Sequence, residues 1–382
     1  IALVVNATTI EAAVPGDLPL IVAGSGNAVT APTATGVEVR GLRLTSGASG
    51  DALGLTTSGS ANAGLTLSDN VFSAPSNSGV DIAHNGTGTL TVSLSNNTFS
   101  GGAPALRITR SAGTAYVTDF SNVIVNGAAV DAVQLSNVVF DATPGGSYNV
   151  VSGGTAALGV SGNPVDGPGL TLTNVSGDLA FTDLDIYATS AALNGSGSGS
   201  FATNSGLRLT TGAGVSTFSA SGGPAVALSA ATVDLQLLML TSAGSSSTGV
   251  SLTNIDGTFT AGSGSTITNA TGTDFYVSGG SGTITYSGTV ANTSGASVSI
   301  SNRTGGTVSF GGAISDTGSG VSLSSNTGAT IAFSGGLTLN TSSNTAFSAT
   351  GGGTVTVTGS TNTLATTTGT ALNVVNTTIG AA

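Results

Sequence analysis

The segment Gly249-Val250-Ser251-Leu252 is one copy of a short phrase: small residue, apolar residue, any residue, apolar residue. The phrase returns through the C-terminal half at Gly206-Leu207-Arg208-Leu209, Ala225-Val226-Ala227-Leu228, Asp274-Phe275-Tyr276-Val277, Ser297-Val298-Ser299-Ile300, Gly320-Val321-Ser322-Leu323, Ala346-Phe347-Ser348-Ala349 and Ala371-Leu372-Asn373-Val374. From Leu207 to Leu372 there are seven steps over 165 residues, a mean period of about 24. Such a period predicts a solenoid, in which each repeat adds one coil.

The same phrase occurs in the N-terminal half with a slightly longer period. Leu53, Val80, Leu106 and Val133 are separated by 27, 26 and 27 residues. Two longer steps of 37 residues follow, from Val133 to Leu170 and from Leu170 to Leu207. They contain Gly/Ser/Pro-rich pieces, from which we predict loop insertions near residues 141–168 and 188–205.

One period contains three short alternating runs, which predict three strands. In Gly320–Thr345 these runs are Val321–Leu323, Ala329–Phe333 and Leu337–Leu339. Strands this short cannot bury their apolar side alone, so successive coils must stack and pair in parallel. The sequence therefore predicts an all-β fold, a right-handed, single-stranded, three-faced parallel β-helix with about 24 residues per coil. We expect it to continue over residues 36–382, with residues 1–35 as a partial coil or junction.

A second pattern, Leu or Ile followed by Ser or Thr and then Asn or Asp, follows several of these strands. Asn and Asp tolerate positive φ, so they suit a tight corner. We predict that they form a structural ladder, with each side chain bonding the next, at Asp69, Asn96, Asn137, Asn174, Asn254 and Asn302. The single histidine, His84, lies two residues after Ile82 and is predicted to occupy the same corner position. Phenylalanines that follow, such as Phe72 and Phe99, are predicted to stack in the core.

These features resemble the right-handed parallel β-helix superfamily, which includes pectate lyases, polygalacturonases, phage tailspikes and secreted bacterial adhesins. Thr248–Asn254 with Gly257-Thr258-Phe259 is most similar to the Gly/Ser/Thr-rich β-strand repeats of very large bacterial surface proteins. The resemblance covers about residues 36–382. It is specific for architecture, because enzymes and inert fibres share this fold.

Composition restricts the partners. The net charge is −11 and all six basic residues are arginine, which argues against nucleic acid, because phosphate binding requires clustered cations. No apolar run approaches the roughly 20 residues of a membrane helix, so we expect no membrane insertion. Cysteine is absent, which excludes disulfides and cysteine metal sites. The chain begins at Ile1 without methionine, and we expect it to be part of a longer protein.

The closest approach to a catalytic pair is Asp183-Leu184-Asp185, whose carboxylates point the same way from a strand. They could hold a metal or act as acid and base, or simply be solvated on the outer face. Asp119, Asp131 and Asp141 could lie on neighbouring coils. No calcium-binding nonapeptide or nucleophile motif is present. We therefore expect no catalytic site, metal or cofactor.

The leading hypothesis is a structural or adhesive protein: an extracellular or cell-surface β-helical rod of a bacterium, part of a fibre, sheath or adhesin stalk. Its expected partners are further copies docked end to end or neighbouring domains of a longer chain, with a polysaccharide as a further candidate. One alternative is a polysaccharide lyase or hydrolase on the same scaffold. Another is a phage-type tailspike that binds polysaccharide, which predicts a trimer.

Overall fold

All regular structure in the described part of the chain is β-strand, which confirms the all-β class. The computed structural model describes residues 18–31, 33–74, 76–127, 130–198 and 206–381, and the backbone of two strands at residues 2–5 and 8–11. No helix with the length and apolar character of a membrane span is found among these residues. The fold is a parallel β-solenoid of stacked coils, as the repeat predicted.

The strands are short, and most contain three to eight residues. Those of the N-terminal part are β1 Ala2–Val5, β2 Thr8–Glu11, β3 Leu20–Val22, β4 Val29–Thr30, β5 Val37–Arg40, β6 Arg43–Thr45, β7 Leu53–Thr57, β8 Ala63–Ser68, β9 Val71–Ala74, β10 Val80–His84, β11 Thr89–Ser95, β12 Thr98–Gly101, β13 Leu106–Arg110, β14 Thr114–Ser121, β15 Ile124–Asn126, β16 Val133–Ser136, β17 Val139–Phe140, β18 Val151–Leu158 and β19 Leu170–Ala188.

Those of the C-terminal part are β20 Leu193–Gly197, β21 Leu207–Thr210, β22 Thr217–Ala220, β23 Val226–Leu237, β24 Met239–Ala243, β25 Thr248–Ala261, β26 Thr266–Thr268, β27 Thr273–Ser278, β28 Thr283–Tyr286, β29 Thr289–Asn292, β30 Ala296–Ser301, β31 Thr307–Phe310, β32 Ile314–Asp316, β33 Val321–Ser324, β34 Thr330–Phe333, β35 Leu337–Asn340, β36 Phe347–Thr350, β37 Thr354–Val357, β38 Thr363–Ala365, β39 Leu372–Val375 and β40 Thr378–Ile379.

The chain divides into two compact units. Unit 1 comprises Ile1–Ala188 and Ser196–Leu207, and unit 2 comprises Thr189–Gly195 and Arg208–Ala382. In unit 1, β7, β8 and β9 make one coil and pair in parallel with β10, β11 and β12 of the next. Three strands per coil is the arrangement that the alternating runs predicted.

The repeated phrase of small, apolar, any and apolar residue sets the register between coils. In unit 1 the structure pairs Leu53 with Val80, Val80 with Leu106, and Leu106 with Val133. In unit 2 the same position forms one continuous column of paired residues: Val226, Val250, Phe275, Val298, Val321, Phe347 and Leu372. The predicted register is therefore confirmed within each unit.

Alternation along each strand forms the core. In β8 the side chains of Ala63, Leu65 and Leu67 are buried, and the residues between them face outward. Phe72 and Phe99 stack with ring centroids 5.0 Å apart and an interplanar angle of 22°, as the sequence predicted. Ring pairs of this kind contribute about 0.5–1.5 kcal/mol beyond the area that they bury.

The three segments that the sequence set apart from the regular coils contain strands. Within residues 1–35, β1 and β2 pair with each other in antiparallel fashion, whereas β3 and β4 pair in parallel with β6 and β7. The predicted insertion 141–168 contains β18, which pairs with β15 and β19. The predicted insertion 188–205 contains β20, and residues 199–205 of it lie outside the described residues. Glycine-rich composition concealed β18, because its buried Val151, Ala156 and Leu158 do not alternate regularly.

Candidate functional site

The corner of unit 1 that follows strands β8, β11 and β14 carries a ladder of polar side chains, and we call it the first corner. Asp69, Asn96 and Asn122 all have positive φ, of 59°, 54° and 56°. The Asn122 amide donates to Asn96 Oδ1 at 2.7 Å, and the Asn96 amide donates to Asp69 Oδ1 at 3.1 Å. Arg40 Nε donates to Asp69 Oδ2 at 3.1 Å. Because a carboxylate only accepts, Asp69 ends this directional chain and receives a donor at each oxygen.

A second ladder lies at a different corner of the same unit. Asn137 follows β16, and Asn174 lies in β19, which pairs with β16. The Asn174 amide donates to Asn137 Oδ1 at 2.8 Å, and the Asn137 amide donates to the carbonyl oxygen of Arg110 at 2.9 Å. The sequence predicted one ladder because the strands before the two corners end in the same pattern. The structure separates them, because each corner follows a different strand of the coil.

In unit 2 the corner formed by Asn254, Gly279 and Asn302 keeps its left-handed backbone conformation without a continuous amide ladder. Asn254 and Asn302 have φ of 51° and 56°, but Gly279 occupies the corner of the coil between them, with φ of 64°. Gly279 N donates to Ser301 O at 2.9 Å, and Asn302 N donates to Ser324 O at 3.0 Å. Backbone hydrogen bonds therefore hold this corner, and its requirement is the left-handed conformation rather than an amide.

This distinction gives a prediction at Asn302. The free energy of unfolding of the variant Asn302→Gly is expected to lie within about 0.5 kcal/mol of the wild-type value, because glycine adopts positive φ readily. The variant Asn302→Ala is expected to lose about 1–2 kcal/mol through left-handed strain. Guanidinium unfolding followed by circular dichroism measures both variants. Equal losses in the two variants would mean that the amide itself stabilises the corner.

A buried row of amides lies one residue beyond the first corner, and sequence reasoning missed it. Asn97 donates to Leu67 O at 2.8 Å and accepts from the Asn70 amide at 3.1 Å. Asn70 also donates to Val39 O at 2.8 Å. Both side chains are buried. The available signal was the doubled pattern, Asp69-Asn70 and Asn96-Asn97, in which one member turns the corner and the next bonds inside.

The predicted carboxylate pair lies on the outer side of β19. Asp183 and Asp185 are half-exposed, and they alternate with the buried Leu184 and Ile186. The paired strand β18 places Thr155 and Ala157 opposite them, so it brings no further carboxylate. Among the described residues, no three histidine, aspartate or glutamate side chains group so that they could hold a metal ion.

The other predicted carboxylates serve local bonds. Asp119 accepts from Ser121, and Asp131 accepts from the Gln134 amide. Asp141 is buried and accepts from the backbone N–H groups of Thr143 and Asn149 at 3.1 Å each. Burial raises the pKa of Asp131, and the Gln134 hydrogen bond opposes that shift. The structure does not bring the three carboxylates into one site.

His84 is not a corner residue, so that prediction was wrong. It is the last residue of β10, is fully buried, and lies in register with Thr57 of β7. Its Nε2 is 3.1 Å from Gly88 O, and its Nδ1 is 2.6 Å from Thr57 Oγ1. Because a carbonyl oxygen only accepts, Nε2 donates to Gly88 O, and Nδ1 shares a hydrogen bond with the Thr57 hydroxyl. The strand extends one residue further than the pattern indicated, and both ring nitrogens have partners.

Unit 2 contains a buried acidic cluster that the sequence analysis did not identify. Asp274 is fully buried; its Oδ1 accepts from Ala270 N at 2.7 Å, and its Oδ2 has no hydrogen-bond partner. Burial raises the pKa of Asp274 to about 7, against the hydrogen bonds from Ala270 and Asn292, and the nearby Asp316 raises it further. The sequence does mark this residue, because Asp274 occupies the first position of the repeated phrase, which is Gly, Ala or Ser in the seven other copies of the C-terminal half.

The second member of this cluster is satisfied by the backbone. Asp316 is fully buried, and its oxygens accept from Ser297 N and Gly318 N at 2.6 Å each. Asn292 lies in register with Asp316 and donates to Ala270 O at 3.0 Å. Burial raises the pKa of Asp316 also. Asn292 thus joins the coil that contains Asp274 to the coil that contains Asp316.

Arg303 is a fully buried cation in the same unit. Its guanidinium donates to Gly279 O at 2.7 Å, to Gly305 O at 3.1 Å and to Gly282 O, while Nε has no partner. Burial lowers its pKa, and the charge of Asp256 opposes the shift. Three carbonyl oxygens take the place of a carboxylate partner, so the guanidinium joins neighbouring coils through hydrogen bonds.

No family model, no curated protein and no solved structure matches this chain. Most of the polar side chains of the two ladders, the buried amide row and the acidic cluster bond to the backbone or to one another, and these contacts hold coils in register.

Proposed function

We propose that this chain is a structural or adhesive protein on the outside of a bacterium, in which the β-solenoid forms part of a surface fibre, sheath or adhesin stalk. The observation that carries the proposal is the repetition itself: within each unit, coil after coil pairs strand for strand with the next. A solenoid of this kind provides length and a uniform surface. The resemblance to Gly/Ser/Thr-rich surface repeats supports the same function.

The last described strands support association at the end of unit 2. Among residues 206–381, strands β39 and β40 each pair on one side only, with β36 and β37. Their side chains Leu372, Val375 and Ile379 are 56%, 50% and 61% exposed. An open strand edge with apolar side chains is a template for further pairing. A second copy docked end to end, or a neighbouring domain, would cover these groups.

Electron microscopy of the purified protein tests the proposal. We expect chains of particles joined end to end that lengthen with protein concentration. Val375→Lys and Ile379→Lys are expected to shorten them, because charged side chains block edge pairing. The control Ser322→Lys places the same charge on the side of a coil and is expected to leave them unchanged. Isolated particles at every concentration would contradict end-to-end association.

The alternatives make different predictions in solution. Cleavage of a polysaccharide, measured as new reducing ends and lost in Asp183→Asn, would replace the proposal with the enzyme, since Asp183 and Asp185 are the pair that it would use. A solution mass of three chains together with polysaccharide binding would favour a tailspike. Labelling intact source cells with an antibody against the chain tests the surface location, and labelling only after lysis would contradict it.

A further inference from the structure

One side of unit 2 carries two ranks of outward-facing residues in register, and all of them except Ala332 bear a hydroxyl. The second half of β25 and strands β28, β31, β34, β37 and β40 stack in parallel. The first rank is a column of threonines, one per coil: Thr258, Thr283, Thr307, Thr330, Thr354 and Thr378. The second rank lies two residues further along each strand: Thr260, Thr285, Ser309, Ala332 and Thr356. We call these two ranks the threonine face.

The threonine face is a regular and stiff lattice. Neighbouring strands are about 4.8 Å apart, and residues two positions apart on a strand are separated by about 6.7 Å. Between the ranks, Phe259, Ile284 and Val308 are fully buried and anchor the strands from inside. Threonine is β-branched and restricted at χ1, so each hydroxyl and methyl is held in a limited range of positions.

The hydroxyls of the first rank are available to solvent. Within the described residues, none of the six makes a hydrogen bond to the protein. In the second rank, Ser309 Oγ lies 3.3 Å from Thr285 Oγ1, so hydroxyls of successive coils are in register. The residues just before the first rank are small, as at Gly257, Gly282 and Gly306.

Exposed carboxylates lie at one end of this face, where the half-exposed Asp234 pairs with Thr258 and the exposed Asp256 lies two residues before Thr258. From residue 257 to residue 381 the sequence contains three charged residues, Asp274, Arg303 and Asp316, and all three are fully buried. A partner selected by this surface cannot be recognised through salt-dependent attraction, as nucleic acids and anionic membranes are. The surface is suited to a neutral partner that offers a regular array of hydrogen bonds.

We propose that the threonine face binds ice. The spacings of about 4.8 Å between strands and about 6.7 Å along each strand form a regular two-dimensional array, so waters held by the hydroxyls could be ordered in rows that continue into an ice lattice. Because the lattice is preorganised, little side-chain entropy is lost on binding.

Two other neutral partners fit this face less well. A polysaccharide would find no aromatic side chain in either rank on which a sugar ring could stack. A second copy packed face to face would bury hydroxyls without assured partners, at a cost of about 1–3 kcal/mol for each one left unpaired. The inference concerns the side of the coils, so it stands or fails separately from association at their ends.

Partition into slowly growing ice tests the inference. The protein is held in dilute solution while a polycrystalline ice hemisphere grows, and its concentration is measured in the ice and in the remaining liquid. We expect several-fold enrichment in the ice and faceted shaping of single crystals. Thr307→Tyr and Thr330→Tyr are expected to abolish both effects, because a bulky ring lifts the face from the lattice. Ser322→Tyr, on strand β33 of another face, is the matched control and is expected to retain them.

Circular dichroism melts establish that each variant is folded before it is compared. Exclusion of the wild-type protein from ice would overturn the inference. Enrichment of the folded Thr307→Tyr and Thr330→Tyr variants equal to that of the wild type would also overturn it. Sedimentation with insoluble cellulose or chitin, with no enrichment in ice, would assign the face to a polysaccharide instead.

Discussion

The folded protein is expected to lose stability as the pH rises from about 4 to about 8, by up to about 4 kcal/mol from Asp274 alone. The pKa of Asp274 rises from the ordinary 3.8 to about 7, chiefly through burial. Between these values the folded state keeps a proton that the unfolded state has released. The stabilisation is therefore complete below pH 3.8 and is lost as the pH rises through 7.

The variant Asp274→Asn isolates this effect. An amide oxygen can still accept from Ala270 N, and the amide nitrogen replaces the oxygen that lacks a partner. At pH about 8 we expect Asp274→Asn to be more stable than the wild type by roughly 2–4 kcal/mol, and at pH about 4 the two should be similar. Asp316, whose pKa burial also raises, leaves a smaller slope of the same sign in the variant.

Guanidinium midpoints measured across this pH range, with amide exchange at Ala270 and Ser297 as local probes, test the prediction. The control Asp256→Asn changes a carboxylate on the outer surface that accepts from Ser281 N at 2.9 Å, a bond that asparagine can keep. It should leave the pH dependence intact. An unchanged slope in Asp274→Asn would show that the buried carboxylate is not its source.

The second large effect is expected at Arg303. The variant Arg303→Met fills a similar volume but leaves the carbonyl oxygens of Gly279, Gly282 and Gly305 without the guanidinium. The bond to Gly282 O is buried and the other two are partly buried, and a buried acceptor that loses its partner costs about 1–3 kcal/mol, so the expected loss is at least about 1–3 kcal/mol. Arg43→Met, at an exposed position of β6, is the control and should change stability by about 0.5 kcal/mol or less.

The variant Arg303→Asn separates the effect of the lost hydrogen bonds from the effect of side-chain volume. Arg303 lies one residue beyond a corner, and Asn326 lies at the corresponding position of the next coil, where it donates to Ile300 O at 2.9 Å. Arg303→Asn should therefore keep part of the bonding and unfold between Arg303→Met and the wild type. Wild-type stability in Arg303→Met would mean that apolar packing replaces the buried charge without loss.

Much of the fold follows from the sequence because its signals repeat. Alternation assigns the inner side of β8, and the spacing of Leu53, Val80 and Leu106 assigns the register between coils. The same regularity identifies the position of Asp274 as unusual. The corner that each asparagine turns is more difficult to predict from the sequence. The pattern that precedes Asn96 also precedes Asn137, although the two residues turn different corners.

By itself, the sequence determined the parallel solenoid, its three strands per coil and the register of its repeats, because these depend on periods of two and about 24 residues that are visible along the chain. Only the tertiary structure decided which corner each asparagine turns, that Asp274, Arg303 and Asp316 are buried, and that the threonines of six strands align in one column. These features depend on the residue that lies one coil away, about 4.8 Å distant in space and more than 20 residues distant in sequence.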